Sequence, residues 1–463
     1  MSQNRTFDEI KIGDTASLVR TLQREDVEAF AAVTGDTNPA HLDPEYARTT
    51  QFRTVIGHGM WAGSMISALL GTRFPGPGTI YLQQSFKFTK PVRIGDTLTA
   101  HATVTARDEE TRRLTLSTEV YNQKGQLVLG GEAVILAPEK KFISGQVETP
   151  QLTVFDPEAR LRELIARGAG QPVLRCAVVQ PCDSEPLQGA LEAARAGILQ
   201  AVLIGPEARI RAVAAEQGLD LSDVEVIAVA HSHAAAEKAA QMAAAGEVAA
   251  IMKGSLHTDE LMHAILAEPR LRTGRRMSHV FHFDVPMYGK PLLITDAALN
   301  IRPSLLEKAD IVQNAIDFAH VLGVEQPKVA ILAAVETINP IMQATLDAAA
   351  LCKMADRRQI QGGLLDGPLA FDNAISPKAV AIKHIDSQVA GRADILLVPD
   401  LEAGNMLAKQ LEYLAGASAS GLVLGARIPI ILTSRSDGSN ERLASAALAR
   451  LVAAAGLSWA SRG

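Results

Sequence analysis

Hydrophobic and polar positions alternate in two different ways along the chain. Between residues 79 and 138 the period is two. Leu98, Ala100, Ala102 and Val104 alternate with Thr97, Thr99, His101 and Thr103, which predicts a strand with one buried and one wet face. TIYLQQSFKFTKPV, RRLTLSTEVYNQKG and QLVLGGEAVILAP read as further strands, with the turns RDEETRR and NQKG among them. One apolar helix, MWAGSMISALLGTRF at 60–74, precedes them. A helix followed by an antiparallel meander is an α+β arrangement.

After Pro138 the texture changes. The polar stretch over 140–155 reads as a linker. From about 156 onward, short apolar runs alternate with Ala-rich helical stretches such as HAAAEKAAQMAAAGE and LLEKADIVQNAIDFAHVLGV. The runs are LRCAVVQP (174–181), AVLIG (201–205), VEVIAVA (224–230), VAAIMKG (248–254), PLLITD (291–296), KVAILAAVE (328–336), ILLVPD (395–400) and IPIILTS (428–434). This predicts an α/β unit with a largely parallel sheet. Several runs end on reactive or charged groups: Lys253, Asp296, Glu336, Asp400 and Ser434-Arg435. Open α/β sheets gather ligands at the carboxyl ends of their strands.

Composition narrows the function classes. The 463 residues suggest about three folding units. With 47% hydrophobic and 21% charged residues, disorder is excluded as the main state. A net charge of −6 without a basic stripe argues against nucleic acid. Cys176, Cys182 and Cys352 cannot all pair and form no C-x-x-C, which fits a reducing compartment and argues against zinc. The polar start MSQNRTFDEIKIGD has no apolar signal core, and no apolar run reaches the roughly 20 residues of a membrane helix. The expectation is a cytoplasmic protein without a membrane partner.

Two groups of residues carry candidate chemistry. In FAAVTGDTNPAHLDPEYA, Asp36 and His41 stand five apart. Gly35 and Asn38-Pro39 break the preceding helix between Val33 and Thr34, and Asp43-Pro44 caps the next one. Both side chains are therefore expected in a turn, where a carboxylate and an imidazole can hold one water and move its protons. In GHGMWAGS, Gly57 and Gly59 allow close backbone approach. The free amides at the start of that helix can stabilise an enolate oxygen. Ser64 lies further in.

The run Phe30, Thr34, Gly35, Asp36, Asn38, Pro39, His41 and Ala47 resembles the signature of the MaoC-like dehydratases, the (R)-specific enoyl-CoA hydratases. GHGMWAGS, IYLQQSFKFTKPVRIGDTL and the meander extend that resemblance over about 7–138. It implies a hot-dog fold that dimerises. It also implies that Asp36 and His41 activate water, that the Gly59 amide polarises the thioester oxygen, that Ser64 supports the site, and that His58 fixes the loop. A small acyl thioesterase on the same fold is the competing reading; the Asp36/His41 pair favours hydration. Trp61 and Met65 either shorten the acyl tunnel or fill the core.

The second group lies in the α/β half. Arg272, Arg275 and Arg276 cluster after a helix, and guanidinium forks suit phosphate. Ser434-Arg435 follows a strand. Neither a P-loop nor a Rossmann glycine pattern is present. KGSLHTDELM, LRTGRRMSHV, TDAALNI, ADIVQNA, DGPLAFDNAIS, VPDLEAGN and PIILTSRSD resemble the phosphate acetyl/butyryltransferases over about 156–463, the butyryl branch more closely. The resemblance implies two α/β subdomains of isocitrate-dehydrogenase-like fold, about 156–295 plus 425–463 and about 296–424. It implies direct displacement of CoA by phosphate.

By the same resemblance Ser434 stabilises the tetrahedral centre with Arg435 in its motif. Arg272, Arg275, Arg276 and Asn405 contact phosphate or CoA. Glu441 matches the family's base, with Asp437 as the alternative. A second phosphate arginine has no match where Glu412 and Tyr413 stand, so either another arginine serves, with Arg392 and Arg427 as candidates, or acyl transfer is weak. The combined expectation is an α+β hot-dog domain (1–139) and an α/β acyltransferase domain (156–463). Acyl-CoA and phosphate are its substrates. No cofactor is permanently bound, no metal is needed, and dimers form through both halves. Two rival readings of the second half are an NAD-dependent decarboxylating dehydrogenase and a non-catalytic CoA-binding or oligomerisation module.

Overall fold

The computed structural model describes residues 2–144, 156, 158–433 and 437–456, and the chain divides into two units between Val154 and Phe155. In the first unit the strands are β1 (Ser2–Gln3), β2 (Thr15–Thr21), β3 (Ile80–Gln84), β4 (Lys87–Phe88), β5 (Thr97–Asp108), β6 (Arg113–Asn122), β7 (Leu127–Leu136) and β8 (Ile143–Ser144). The main sheet runs β2-β5-β6-β7-β3, antiparallel throughout, with β4 also on β7; β1 and β8 pair separately.

The alternation read in the sequence sets the face of this sheet. Leu98, Ala100, Ala102 and Val104 are buried while Thr97, Thr99, His101 and Thr103 are half-buried. The inner face packs on the helix Gly59–Thr72 through Trp61, Met65, Ile66, Leu69 and Leu70. Burying a large apolar side chain contributes roughly 1.5–3 kcal/mol, so this seam holds the helix to the sheet. Gly63 permits the close approach: a Cβ there would lie 2.9 Å from the Phe86 ring. A sheet wrapped on one helix is the hot-dog arrangement.

The second unit contains β9 (Leu174–Val179), β10 (Leu199–Gly205), β11 (Glu225–Ala228), β12 (Ala250–Lys253), β13 (Ser278–Asp284), β14 (Leu292–Thr295), β15 (Lys328–Leu332), β16 (Leu364–Leu369), β17 (Ile395–Leu397), β18 (Ser418–Leu424) and β19 (Ile430–Ile431). Among the described residues they form one sheet in the order β11-β10-β9-β12-β19-β18-β13-β14-β17-β15-β16. The pairs β13–β14, β13–β18 and β18–β19 are antiparallel and the others parallel. All eight apolar runs contain a strand; β13, β16 and β18 were not among them. The strands Ser278–Asp284 and Leu292–Thr295 sit beside β18 and β17 in the sheet. Among the described residues, no helix is long and apolar enough to cross a membrane.

Candidate active site

The first site is assembled by two helix ends. The helix Arg24–Thr34 stops one residue later than expected, with Gly35 as its cap at φ 75°, a left-handed conformation that glycine adopts without a Cβ penalty. Asn38 then caps a one-turn helix, Pro39–Leu42, by accepting from the Ala40 amide. His41 thus stands on that helix and not in the turn, while Asp36 precedes it. Asp43 accepts from the Glu45 and Tyr46 amides to cap Pro44–Thr49, as its position before Pro44 predicts.

The two side chains meet. One carboxylate oxygen of Asp36 and one ring nitrogen each of His41 and His58 all lie within 4.8 Å of one another. Two hydrogen bonds of about 2.8 Å from one water span roughly 4.6 Å, so the gap suits a shared water. His41 Nδ1 lies 2.8 Å from the Ile56 carbonyl oxygen. A carbonyl only accepts, so Nδ1 carries a proton, and in the neutral ring the lone pair is then on Nε2. His58 is buried and donates from Nε2 to the Asp36 carbonyl oxygen at 3.0 Å. Burial holds its pKa below the ordinary value. The two imidazoles face each other, with centroids 4.0 Å apart and planes tilted by 36°.

A cavity of about 290 Å³ opens beside His41 and Gly59, walled by Phe52, Ile56, Phe88 and Val128, with Lys90 on its lining. Gly59 is the first residue of its helix, and its N–H is one of the four amides that no helical turn satisfies. A Cβ on Gly59 would lie 3.0 Å from the Phe88 ring. Ser64 is exposed, donates to the Trp61 carbonyl oxygen at 2.7 Å, and does not line this cavity. Trp61 and Met65 are buried in the core, and neither lines the cavity.

In the second unit Ser434 and Arg435 lie outside the described residues. The flanks of that segment are described. β19 leads to Thr433, whose Oγ1 accepts from Arg442 at 2.6 Å, and Arg442 Nε donates to the Asp437 carbonyl oxygen at 3.2 Å. Arg442 is buried, which pulls its pKa down. Sequence reasoning passed over it because it sits within the Ala-rich helix Ser439–Ala455. Glu441 opens that helix and lines a cavity of about 50 Å³ with Arg160, His282, Asp284 and Ser420.

The three clustered arginines have separate partners. Arg272 is exposed and donates to the Leu266 carbonyl oxygen at 2.6 Å. Arg275 pairs with Asp317, and Arg276 reaches Glu307 at 3.1 Å and Asn300 at 2.7 Å. Asn300 also donates to Asp296, which is buried; burial pushes that carboxyl up. Asn405 is exposed, 3.5 Å from the Ala297 carbonyl oxygen. Arg392 and Arg427 are both exposed.

A sheet-wrapped helix with an acid–imidazole pair is followed by an α/β unit, and a family model matches each of the two. The family described as "MaoC like domain" matches residues 9–124, and that described as "Phosphate acetyl/butaryl transferase" matches residues 231–450. A phosphate acetyltransferase of Rhizobium meliloti is 57% identical over 292 residues, 63% of this chain and 92% of the relative. A phosphate butyryltransferase of Clostridium acetobutylicum is 40% identical over 292 residues, 63% of this chain and 97% of the relative. The unliganded R-hydratase PhaJ1 of Pseudomonas aeruginosa is 43% identical, covering 33% of this chain and 99% of that one at a TM-score of 0.32. The chain belongs to the phosphate acetyl/butyryltransferase family in its second unit and carries a MaoC-like domain in its first. Relatives named as acetyltransferases run from 38% to 57% identity and those named as butyryltransferases from 40% to 51%, so identity does not rank the two branches.

Proposed function

We propose that residues 1–139 hydrate trans-2-enoyl-CoA to (R)-3-hydroxyacyl-CoA and that residues 156–463 exchange the CoA of an acyl thioester for phosphate. The observation that carries the first half is the approach of the Asp36 carboxylate to His41 beside a cavity that also includes Gly59. Asp36 and the bare His41 Nε2 hold the water. Its oxygen bonds to C3 as the C2–C3 π pair moves to C2, and the enolate oxygen forms against the Gly59 amide. The water's proton leaves through the pair, and C2 takes a proton back, so that water adds whole across the double bond. Ser64, bonded to the Trp61 carbonyl oxygen outside the cavity lining, takes no step in this hydration and stays a supporting residue of the helix alone.

In the second half a phosphate oxygen attacks the thioester carbonyl, the carbon–sulfur bond breaks, and CoA leaves with the proton as its thiol. Ser434 and Arg435 stabilise the tetrahedral centre, Glu441 serves as base, and Arg272, Arg275, Arg276 and Asn405 bind the anions. This reading is supported by family membership and by the strand-to-helix flank that carries Thr433 and Arg442. Neither reaction uses a resident cofactor or metal, and the protein works in the cytoplasm as a homo-oligomer. The exposed edge strand β3 (Ile80, Tyr81 and Leu82) offers a surface for a second copy. Release of free thiol from acetyl-CoA or butyryl-CoA only when phosphate is present tests the transferase; thiol release without phosphate would instead indicate a thioesterase.

A further inference from the structure

We propose that His58 is the positioning residue of the hydration site, fixing the Asp36 peptide, the His41 ring and the Gly59 amide relative to one another; this rests on the hydration reading above. Three contacts meet on this one side chain. Its Nε2–H holds the Asp36 carbonyl oxygen at 3.0 Å. Its ring lies against His41, centroids 4.0 Å apart, and against Phe30 at 5.0 Å. Its backbone is the N-cap of Gly59–Thr72, so any shift of His58 moves the Gly59 amide with it.

The chemistry of the ring argues for more than filling space. Among the described residues His58 Nδ1 has no hydrogen-bond partner although it is buried. A buried, unsatisfied acceptor costs stability that an apolar ring of similar size would avoid. What the imidazole supplies in exchange is the Nε2–H donor to Asp36. Asp36 and His41 are the ionisable groups that act on it electrostatically, and burial, the largest influence, lowers its pKa.

The test uses the full chain. Wild type is first assayed for crotonyl-CoA hydration, and failure there overturns the hydration reading and this proposal together. His58→Phe keeps the ring and removes the donor; His58→Gln places an amide N–H near the position of Nε2. The expected result is a fall in kcat of about 10- to 100-fold for His58→Phe with KM nearly unchanged, because about 1 Å of misplacement can cost that much, and substantial recovery in His58→Gln. Equal losses in both folded variants, or wild-type kcat in His58→Phe, would overturn the proposal alone. Imidazole ¹⁵N shifts of wild type give an answer that no variant's folding affects: the Nε2–H tautomer at neutral pH supports the proposal, and the Nδ1–H tautomer or an imidazolium contradicts it.

Discussion

Replacing Asp36 by Asn separates chemistry from folding. The side chain is exposed, and its contacts survive the change: Asn keeps an oxygen for the Asn38 amide, 3.4 Å away, and the His58 bond goes to the backbone carbonyl. Stability should therefore move by no more than about 0.5 kcal/mol. What is lost is the charge that helps His41 hold water and take its proton. Removing one member of an acid–base pair costs about 10²- to 10⁴-fold, or roughly 3–5.5 kcal/mol on the barrier at 1.36 kcal/mol per decade. The assay follows loss of the enoyl double bond of crotonyl-CoA. In the same samples, phosphate-dependent thiol release from acetyl-CoA should stay at the wild-type rate. A folded Asp36→Asn protein that hydrates within tenfold of wild type would refute the role given to the carboxylate. Loss of both activities would refute the separation of the two sites.

Three further outcomes follow from packing and burial. His279 and His282 are buried, and burial pulls their pKa values to about 3 and about 4. Their folded values lie below the unfolded 6.5, so unfolding takes up protons below pH 6.5 and stability falls as pH falls, by roughly 2 kcal/mol per histidine at pH 5; calorimetry from pH 7 to 5 should show the loss, and a flat profile would contradict it. Gly131→Ala drives a Cβ into the Ser85 carbonyl oxygen, so the first unit should lose at least about 2 kcal/mol by urea unfolding; unchanged stability would mean the β3–β7 junction yields. Lys308 and Asp347 pair at 2.8 Å with both side chains buried, so Lys308→Met should cost about 3–5 kcal/mol by leaving the carboxylate unpaired; a neutral result would mean that the Gln343 amide, also 2.8 Å from Asp347, suffices.

The first unit was the more legible in sequence because its signals are local. A period of two fixes the buried face of β5, and Asn38, Asp43 and the two prolines fix the helix ends that bring Asp36 toward His41. The missed strands of the second unit have a physical cause. SHVFHFD reads as polar, yet His279 and His282 are buried in β13 because the strand lies inside the sheet with neighbours on both sides. Nothing in the local pattern distinguishes a buried neutral histidine from a solvated one. The arginines show a similar limit: clustering in sequence did not reveal that two of them pair with Asp317 and Glu307, more than thirty residues on. Arg442 was hidden in an alanine-rich helix whose inward face only the tertiary fold defines.

The central claim is two independent CoA-thioester chemistries in one chain, and one experiment on wild-type protein addresses it most directly. Crotonyl-CoA and butyryl-CoA are each incubated with and without inorganic phosphate, and both double-bond loss and free thiol are followed. The account predicts double-bond loss from crotonyl-CoA regardless of phosphate, and thiol release from butyryl-CoA only with it. Hydration without any phosphate-dependent thiol would reduce the second unit to a binding or assembly module, and thiol release without hydration would remove the role given to Asp36 and His41.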